Sequence, residues 1–338
     1  MASNANTDST PSSKRPSRGS SIDPTALMQI KSLSLRAKAV VEGFNSGLHR
    51  SPLHGFSVEF AQYRPYTQGD DPRNLDWKLL ARTDRCYVKQ YEDETNRRCY
   101  LAIDQSRSMS FGSGEHSKAE YARTLAATLA YFLHLQRDTV GCMRLGTDSD
   151  EYLPPRNRTG HLQQIMRLLE SESDGRDSDL SAALTELAGY SKRRGLVVLL
   201  SDLLTEPDTL FQPLGYLRGR QHEVVVIRVL DPAEVNFQLT ESTMLQDLET
   251  GQELYIDPSE AKAEYDRRFA VHQQQLIDIL HKRNGRLLTV TTDQPLDGVL
   301  LELISNTRTL DAQASQKIRE KRREKNRGSS SEFSKGAS

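Results

Sequence analysis

Asp104, Ser106 and Ser108 occupy alternate positions in "YLAIDQSRSMSFGSGEHSKAEYARTLAATLAYFL", which begins at Tyr100. An apolar run precedes them and a long helical pattern follows. A second acid, Asp202, closes another apolar run, "GLVVLLSDLL". Carboxylates and hydroxyls together make an all-oxygen donor set, which suits a hard divalent cation, Mg2+ in particular. Mn2+ and Ca2+ accept the same donors. A structural role competes with this one, because Ser and Asp also cap helices and turns. Histidine offers no rival site, since the histidines share no ligand spacing.

The elements that must position these residues follow from periodicity. "CYLAI", "TVGCMRLG", "GLVVLLS", "EVVVIRVL" and "RLLTVTT" read as strands, and "YLPP" as a short edge strand. Helical patterns run over 118–136, 161–169, 180–191, 207–217 and 259–282. This alternation predicts an α/β fold with a doubly wound, mostly parallel sheet covered on both faces. Ligands of such sheets bind at the carboxyl ends of strands, where Asp104 and Asp202 fall. "STMLQDLETGQELYID" predicts a β-hairpin inserted within 235–257, turning at Thr250-Gly251 and lying at the sheet edge. Asp23 to Leu48 reads as one helix, with Leu27, Ile30, Leu33, Leu35, Ala37, Val40, Val41 and Phe44 at helical spacing. Pro24 suits its first position and Gly47 its C-terminal cap.

Of 338 residues, 36% are hydrophobic and 27% charged, which suits a water-soluble globular chain. The net charge of −1 gives no bulk attraction to nucleic acid or to a membrane surface. Residues 1–22 and 311–338 are polar, Ser-rich segments expected to be disordered tails, the second carrying a basic run from Lys317 to Arg327. Cys86, Cys99 and Cys142 are scattered, without a C-x-x-C spacing, and read as buried thiols in a reducing compartment. No apolar run is long enough to span a bilayer, so the cytoplasm is the expected address.

Two resemblances extend this reading. Asp104-Gln105-Ser106-Arg107-Ser108, placed between a strand and a helix, resembles the metal-ion-dependent adhesion site of von Willebrand factor type A domains. By that resemblance Ser106 and Ser108 ligate directly. Asp104, Ser178 in "DGRDSDLSAAL" and Asp202 act directly or through water, and one position stays open for a partner's carboxylate. Ser178 stands where the family usually has Thr, which keeps the oxygen. The segment "FSVEFAQYRPYTQGDDPRNLDWKLLARTDRCYVKQYEDETNRR" resembles the bacterial domain-of-unknown-function family fifty-eight, as do Leu230-Asp231-Pro232-Ala233-Glu234 and "DLETGQEL". The likeness spans about Gly55 to Ser305. It implies an N-terminal helix and Arg/Asp-rich extension over 23–97, ahead of a von Willebrand factor A-like domain over 98–310.

Within the extension, Gly69-Asp70-Asp71-Pro72 reads as a turn into a helix capped by Asp71. Arg64, Arg73 and Arg82 are expected to face Asp70, Asp76 and Glu92, with Trp77 as the apolar anchor and Tyr66 beside them. This patch serves either as an ion-pair network locking the extension to the sheet or as a partner-binding surface.

Family resemblance implies a non-enzymatic, Mg2+-dependent interaction module that works with a MoxR-type AAA+ ATPase in maturing client proteins. A Mg2+-dependent phosphohydrolase is the alternative, because aspartyl-phosphate enzymes also begin with an Asp after a buried strand. They want a second carboxylate two residues on, where this chain has Ser106. A metal-free scaffold binding through the Arg/Asp-rich extension is a further alternative. Nucleic acid is not an expected partner, for want of an aromatic–basic module.

Overall fold

Side chains of β3 (Arg98–Asp104) divide between two cores. Cys99, Leu101 and Ile103 enter one, while Tyr100 and Ala102 enter the other. This two-residue alternation, with apolar side chains on both sides, is what a strand sandwiched between helical layers requires. The computed structural model describes residues 22–48, 62–66, 80, 82, 86–90, 97–145, 151–171, 179–237, 243–246 and 253–304.

Six strands form the central sheet. They are β3, β4 (Thr139–Leu145), β5 (Tyr152–Arg156), β6 (Leu196–Ser201), β7 (Glu223–Leu230) and β10 (Arg286–Thr291). Their order is β10-β7-β6-β3-β4-β5, parallel throughout except for β5, which pairs antiparallel with β4 at the edge. The chain therefore lays β3, β4 and β5 to one side, then returns past β3 to build β6, β7 and β10 on the other. The crevice between β3 and β6 is the topological switch point, where open α/β sheets bind ligands.

Helices α1 (Pro24–Met28), α2 (Leu33–Leu48), α3 (Lys118–Leu135) and α4 (His161–Glu170) cover one face, together with the helix over 296–304. Helices α5 (Leu180–Tyr190) and α6 (Phe211–Gly219) cover the other, with the far end of the long helix over Pro258–Lys282. A short helix, α7 (Pro232–Asn236), follows β7; the long helix is α8 and that over 296–304 is α9.

The expected doubly wound, mostly parallel sheet is present, and three details differ. First, 23–48 is two helices. The chain breaks at 29–32, and Arg36, 8% exposed, fills the break. Its guanidinium donates to the carbonyls of Met28 (2.6 Å) and Ile30 and pairs with Glu120 of α3 at 2.7 Å. Ser32 and Glu170 accept the N–H groups of Leu35 and Leu33, supplying a fresh N-terminal cap. Leu35, counted among the apolar positions, is 57% exposed. Second, the inserted hairpin pairs β8 (Thr243–Gln246) with β9 (Glu253–Ile256) as a separate two-stranded sheet, so it does not extend the edge of the main one. Its proposed turn at Thr250-Gly251 lies outside the described residues, as do the residues of both tails apart from Ile22. Third, Cys86 is exposed, whereas Cys99 and Cys142 are buried as expected. In the extension, β1 (Gln62–Pro65) and β2 (Tyr87–Gln90) form an antiparallel pair.

Two measurements check these packing statements. Arg36→Ala removes the ion pair and strands two carbonyls, so the urea midpoint should fall by the equivalent of about 2–4 kcal/mol. A loss below about 0.5 kcal/mol would show that α2 packing alone maintains the break. Burial pushes the thiol of Cys142 up to about 12 and that of Cys99 higher still. In native protein a thiol reagent near neutral pH should therefore label Cys86 while sparing Cys99 and Cys142 until denaturant is added.

Candidate functional site at the sheet switch point

Asp104 ends β3 and Asp202 follows β6, the adjacent parallel strand, so chain topology brings two distant acids to one crevice. Both are buried, at 3% and 2% exposure. Ser106 donates its N–H to one Asp104 carboxylate oxygen at 2.9 Å, and the Ser201 hydroxyl donates to the other at 2.6 Å. Burial pushes the Asp104 carboxyl above its ordinary range, the negative charge of Asp202 pushes it further, and the Ser201 and Ser106 bonds only partly oppose them. The two acids thus act on each other electrostatically.

The loop after β3 turns its hydroxyls inward for a packing reason. Met109, fully buried, anchors a single 3-10 turn over Arg107–Ser110, while Arg107 and Ser110 face solvent. That leaves Ser106 and Ser108 on the inner side, 7% and 8% exposed, with their hydroxyl oxygens 3.0 Å apart. Gly112 then permits a fold so close that a Cβ there would lie 2.5 Å from the His116 carbonyl oxygen. The loop after β6 carries its own constraint. Leu203 has φ 56° in the left-handed region, a conformation that costs an ordinary residue about 1 kcal/mol or more. Three contacts hold it there: complete burial of its side chain, a bond from its N–H to Ser201, and Arg228, which donates to the Asp202 carbonyl at 3.1 Å.

Sequence reasoning passed over a buried lysine that pairs with one of these acids. Ser117 caps α3, and Lys118 follows at its first helical position with no exposed surface. A lysine there opposes the helix dipole, which favours acids in the first turn. Its ammonium is satisfied instead by carboxylates, Asp202 at 2.9 Å and Glu234 at 2.6 Å, with the Phe111 ring centroid 5.8 Å away. The mismatch between charge and helix end was the available signal. Glu234 and Asp231 form a capping box on α7, and Asp231 also accepts the backbone N–H and hydroxyl of Ser113. Burial raises the Asp231 carboxyl, but its bonds to Ser113 and Ala233 and the charge of Lys118 leave it below its usual range. Arg228 was likewise missed inside an apolar strand; it is 1% exposed and also reaches Gln273 and His272.

Of the expected metal ligands, Asp104, Ser106, Ser108 and Asp202 are brought together, and Ser178 lies outside the described residues. The expected Arg/Asp patch falls mostly outside as well, including Asp70, Asp71, Arg73, Asp76, Trp77 and Glu92. Arg64 lies in β1 opposite Val88 of β2, and Tyr66 and Arg82 are exposed.

A hard cation fits this chemistry. The donors are two carboxylates and two hydroxyls with no nitrogen or sulfur among them, the preference of Mg2+-type ions that retain water. Asp104 accepts from two uncharged donors, Ser106 N–H and the Ser201 hydroxyl, while Lys118 pairs with Asp202 and Glu234. Among the described residues no three His, Cys, Asp or Glu side chains form a metal cage. A bound ion would therefore depend on Ser106, Ser108 and water as much as on the acids.

The family described as "Protein of unknown function DUF58" matches residues 62–275. The chain belongs to the DUF58 family. An uncharacterized protein of Mycobacterium tuberculosis is 28% identical over 296 residues, covering 86% of this DUF58 chain and 92% of the relative. An uncharacterized protein of Mycobacterium avium is 31% identical over 132 residues, covering 38% of this chain and 76% of its own. Solved structures are more distant. The conserved hypothetical protein BatB from Bacteroides thetaiotaomicron aligns with TM-score 0.42 at 16% identity, over 63% of this chain and 99% of its own. The SpRpn10 VWA domain aligns with TM-score 0.37 at 12% identity, over 60% and 93%. The α/β assignment rests on the strand order of the chain itself.

Asp104→Asn tests whether the buried charge is held at a cost. It removes the repulsion with Asp202 and keeps an acceptor for Ser106 N–H. Without divalent ions the variant should be more stable by about 1 kcal/mol, as residues kept for function often are when neutralised. A lower denaturation midpoint would show that the carboxylate charge serves the fold itself.

Proposed function

We propose that this DUF58 chain is a non-enzymatic protein-interaction module whose recognition site is the Asp104–Ser106–Ser108–Asp202 crevice. The observation that carries it is the convergence of these four residues on one crevice from two strands, with Asp104 and Asp202 buried and coupled. Ser106, Ser108, Asp104 and Asp202 would hold Mg2+, with Ser178 a further donor by the family resemblance. A bound divalent ion supplies a positive centre with an open position for a carboxylate of a partner protein. The chain's own residues do the remainder: Met109 and the short turn keep the hydroxyls inward, Ser201 orients Asp104, and Arg228 secures the carbonyl of Asp202.

In this reading the partner is a MoxR-type AAA+ ATPase, as the family resemblance implies. The ATPase supplies energy for chaperone-like maturation of a client in the cytoplasm, and this chain supplies recognition. Ser106 two residues after Asp104 speaks against phosphoryl transfer, which lacks an acid for proton transfer there. Among the described residues no helix is long and apolar enough to cross a membrane.

Co-precipitation with a MoxR-type AAA+ ATPase of the same organism tests the proposal. Capture in millimolar Mg2+ should fall roughly tenfold or more with chelator, and equally with Ser106→Ala/Ser108→Ala, matching the loss of a charge-assisted contact. Capture indifferent to both would move the grip to the Arg/Asp-rich extension. Phosphatase turnover abolished by Asp104→Asn would favour the hydrolase.

A further inference from the structure

We propose that Lys118 is a tethered cation that competes with the divalent ion for Asp202 and is retained by Glu234, its other partner, when the ion binds. This rests on the divalent-ion reading of the crevice. The ammonium is wholly buried, 2.9 Å from the Asp202 oxygen Oδ2 and 2.6 Å from Glu234 Oε1. Of the two Asp202 oxygens, Oδ1 accepts the N–H of Leu204 at 3.2 Å and Oδ2 accepts the Lys118 ammonium at 2.9 Å, so an ion at either lies close to that ammonium. Two positive charges cannot both lie against one carboxylate oxygen without repulsion. In this proposal the ion ligates Asp202 directly, and its charge loosens the lysine.

Glu234 already holds the lysine and keeps it paired when Asp202 is lost. It belongs to α7, outside the loops that supply the ion's donors, and its second oxygen is tied to the Asp231 N–H at 2.8 Å. The carboxylate is thus already oriented toward Lys118, and Tyr265 steadies the same turn by donating to the Glu234 carbonyl at 2.6 Å. Ser113, in the loop joining the hydroxyl turn to α3, bonds Asp231 as well. Ion entry and the position of the 231–236 segment are consequently linked through one ammonium. The lysine also explains how Asp202 is tolerated in the interior without an ion, since buried acids need a paired charge.

Opposite effects of two single substitutions make the test. In calorimetric titrations of the full chain with Mg2+ or Mn2+, Lys118→Met should bind the ion more tightly, on the order of tenfold, a coupling typical of linked sites. Glu234→Gln leaves Lys118 with Asp202 alone and should weaken ion binding by a similar factor. Lys192→Gln, removing an exposed cation before the amino end of β6, controls for general electrostatics and should change affinity less than about twofold. Should Lys118→Met fold poorly, Glu234→Gln carries the test, because the buried ammonium keeps one partner. Binding in the wild type with Lys118→Met no tighter, or with all three variants shifted alike, would overturn the competition and leave the divalent site standing. No uptake by wild type or Lys118→Met would remove both readings. Uptake by Lys118→Met alone would support the competition in its strongest form, with the lysine as the resident cation.

Discussion

Burial of negative charge at the β3/β6 crevice is the constraint to which the rest of the site answers. Two carboxylates, each almost without solvent exposure, lie close enough to raise the cost of ionising Asp104. A fold selected for stability alone has no use for this, because buried acids contribute little unless paired. Each surrounding feature offsets some of the cost: the Ser201 and Ser106 bonds to Asp104, the ammonium against Asp202, and the guanidinium on its carbonyl.

The scaffold makes that concentration possible because its topology places independent chain segments side by side. Parallel strands present all their carboxyl ends in one direction, and reversal of strand order leaves a gap between β3 and β6. Loop residues entering the gap are positioned by deep anchors, Met109 after β3 and Leu203 after β6, both fully buried. Hydroxyls at alternate positions then follow from the tight turn over Arg107–Ser110. Rigid anchoring suits a recognition site, which loses less entropy on binding when its donors are already in place.

Lys118 and the capping box after β7 give the site a second layer, one that reaches toward the segment preceding the inserted hairpin. Phe237 ends α7 in a left-handed conformation and packs on Tyr265 with ring centroids 4.9 Å apart, so the exit from this layer is also fixed. Beyond it, the hairpin exposes Met244 and Tyr255, at 57% and 65%. The family-specific segment Asp231–Glu234 is thereby a structural neighbour of the β3 loop even though more than a hundred positions separate Ser113 from Asp231.

What the sequence determined alone were the features carried by short-range pattern. Short apolar runs identified the strands and helical periodicity most helices, and Asp104 and Asp202 at strand ends marked the crevice, because local pattern and position after an apolar run are properties of neighbouring residues. The tertiary structure decided whatever depends on a distant partner. Arg36 splits a continuous helical pattern because its charge finds Glu120 and two carbonyls there. The hairpin's described strands pair with each other and stand apart from the six-stranded sheet. Lys118 sits between two acids because Asp202 and Glu234, far along the chain, both reach its ammonium. Periodicity holds no information about such meetings, since the energy of a buried charge is set by whichever charges the fold brings beside it.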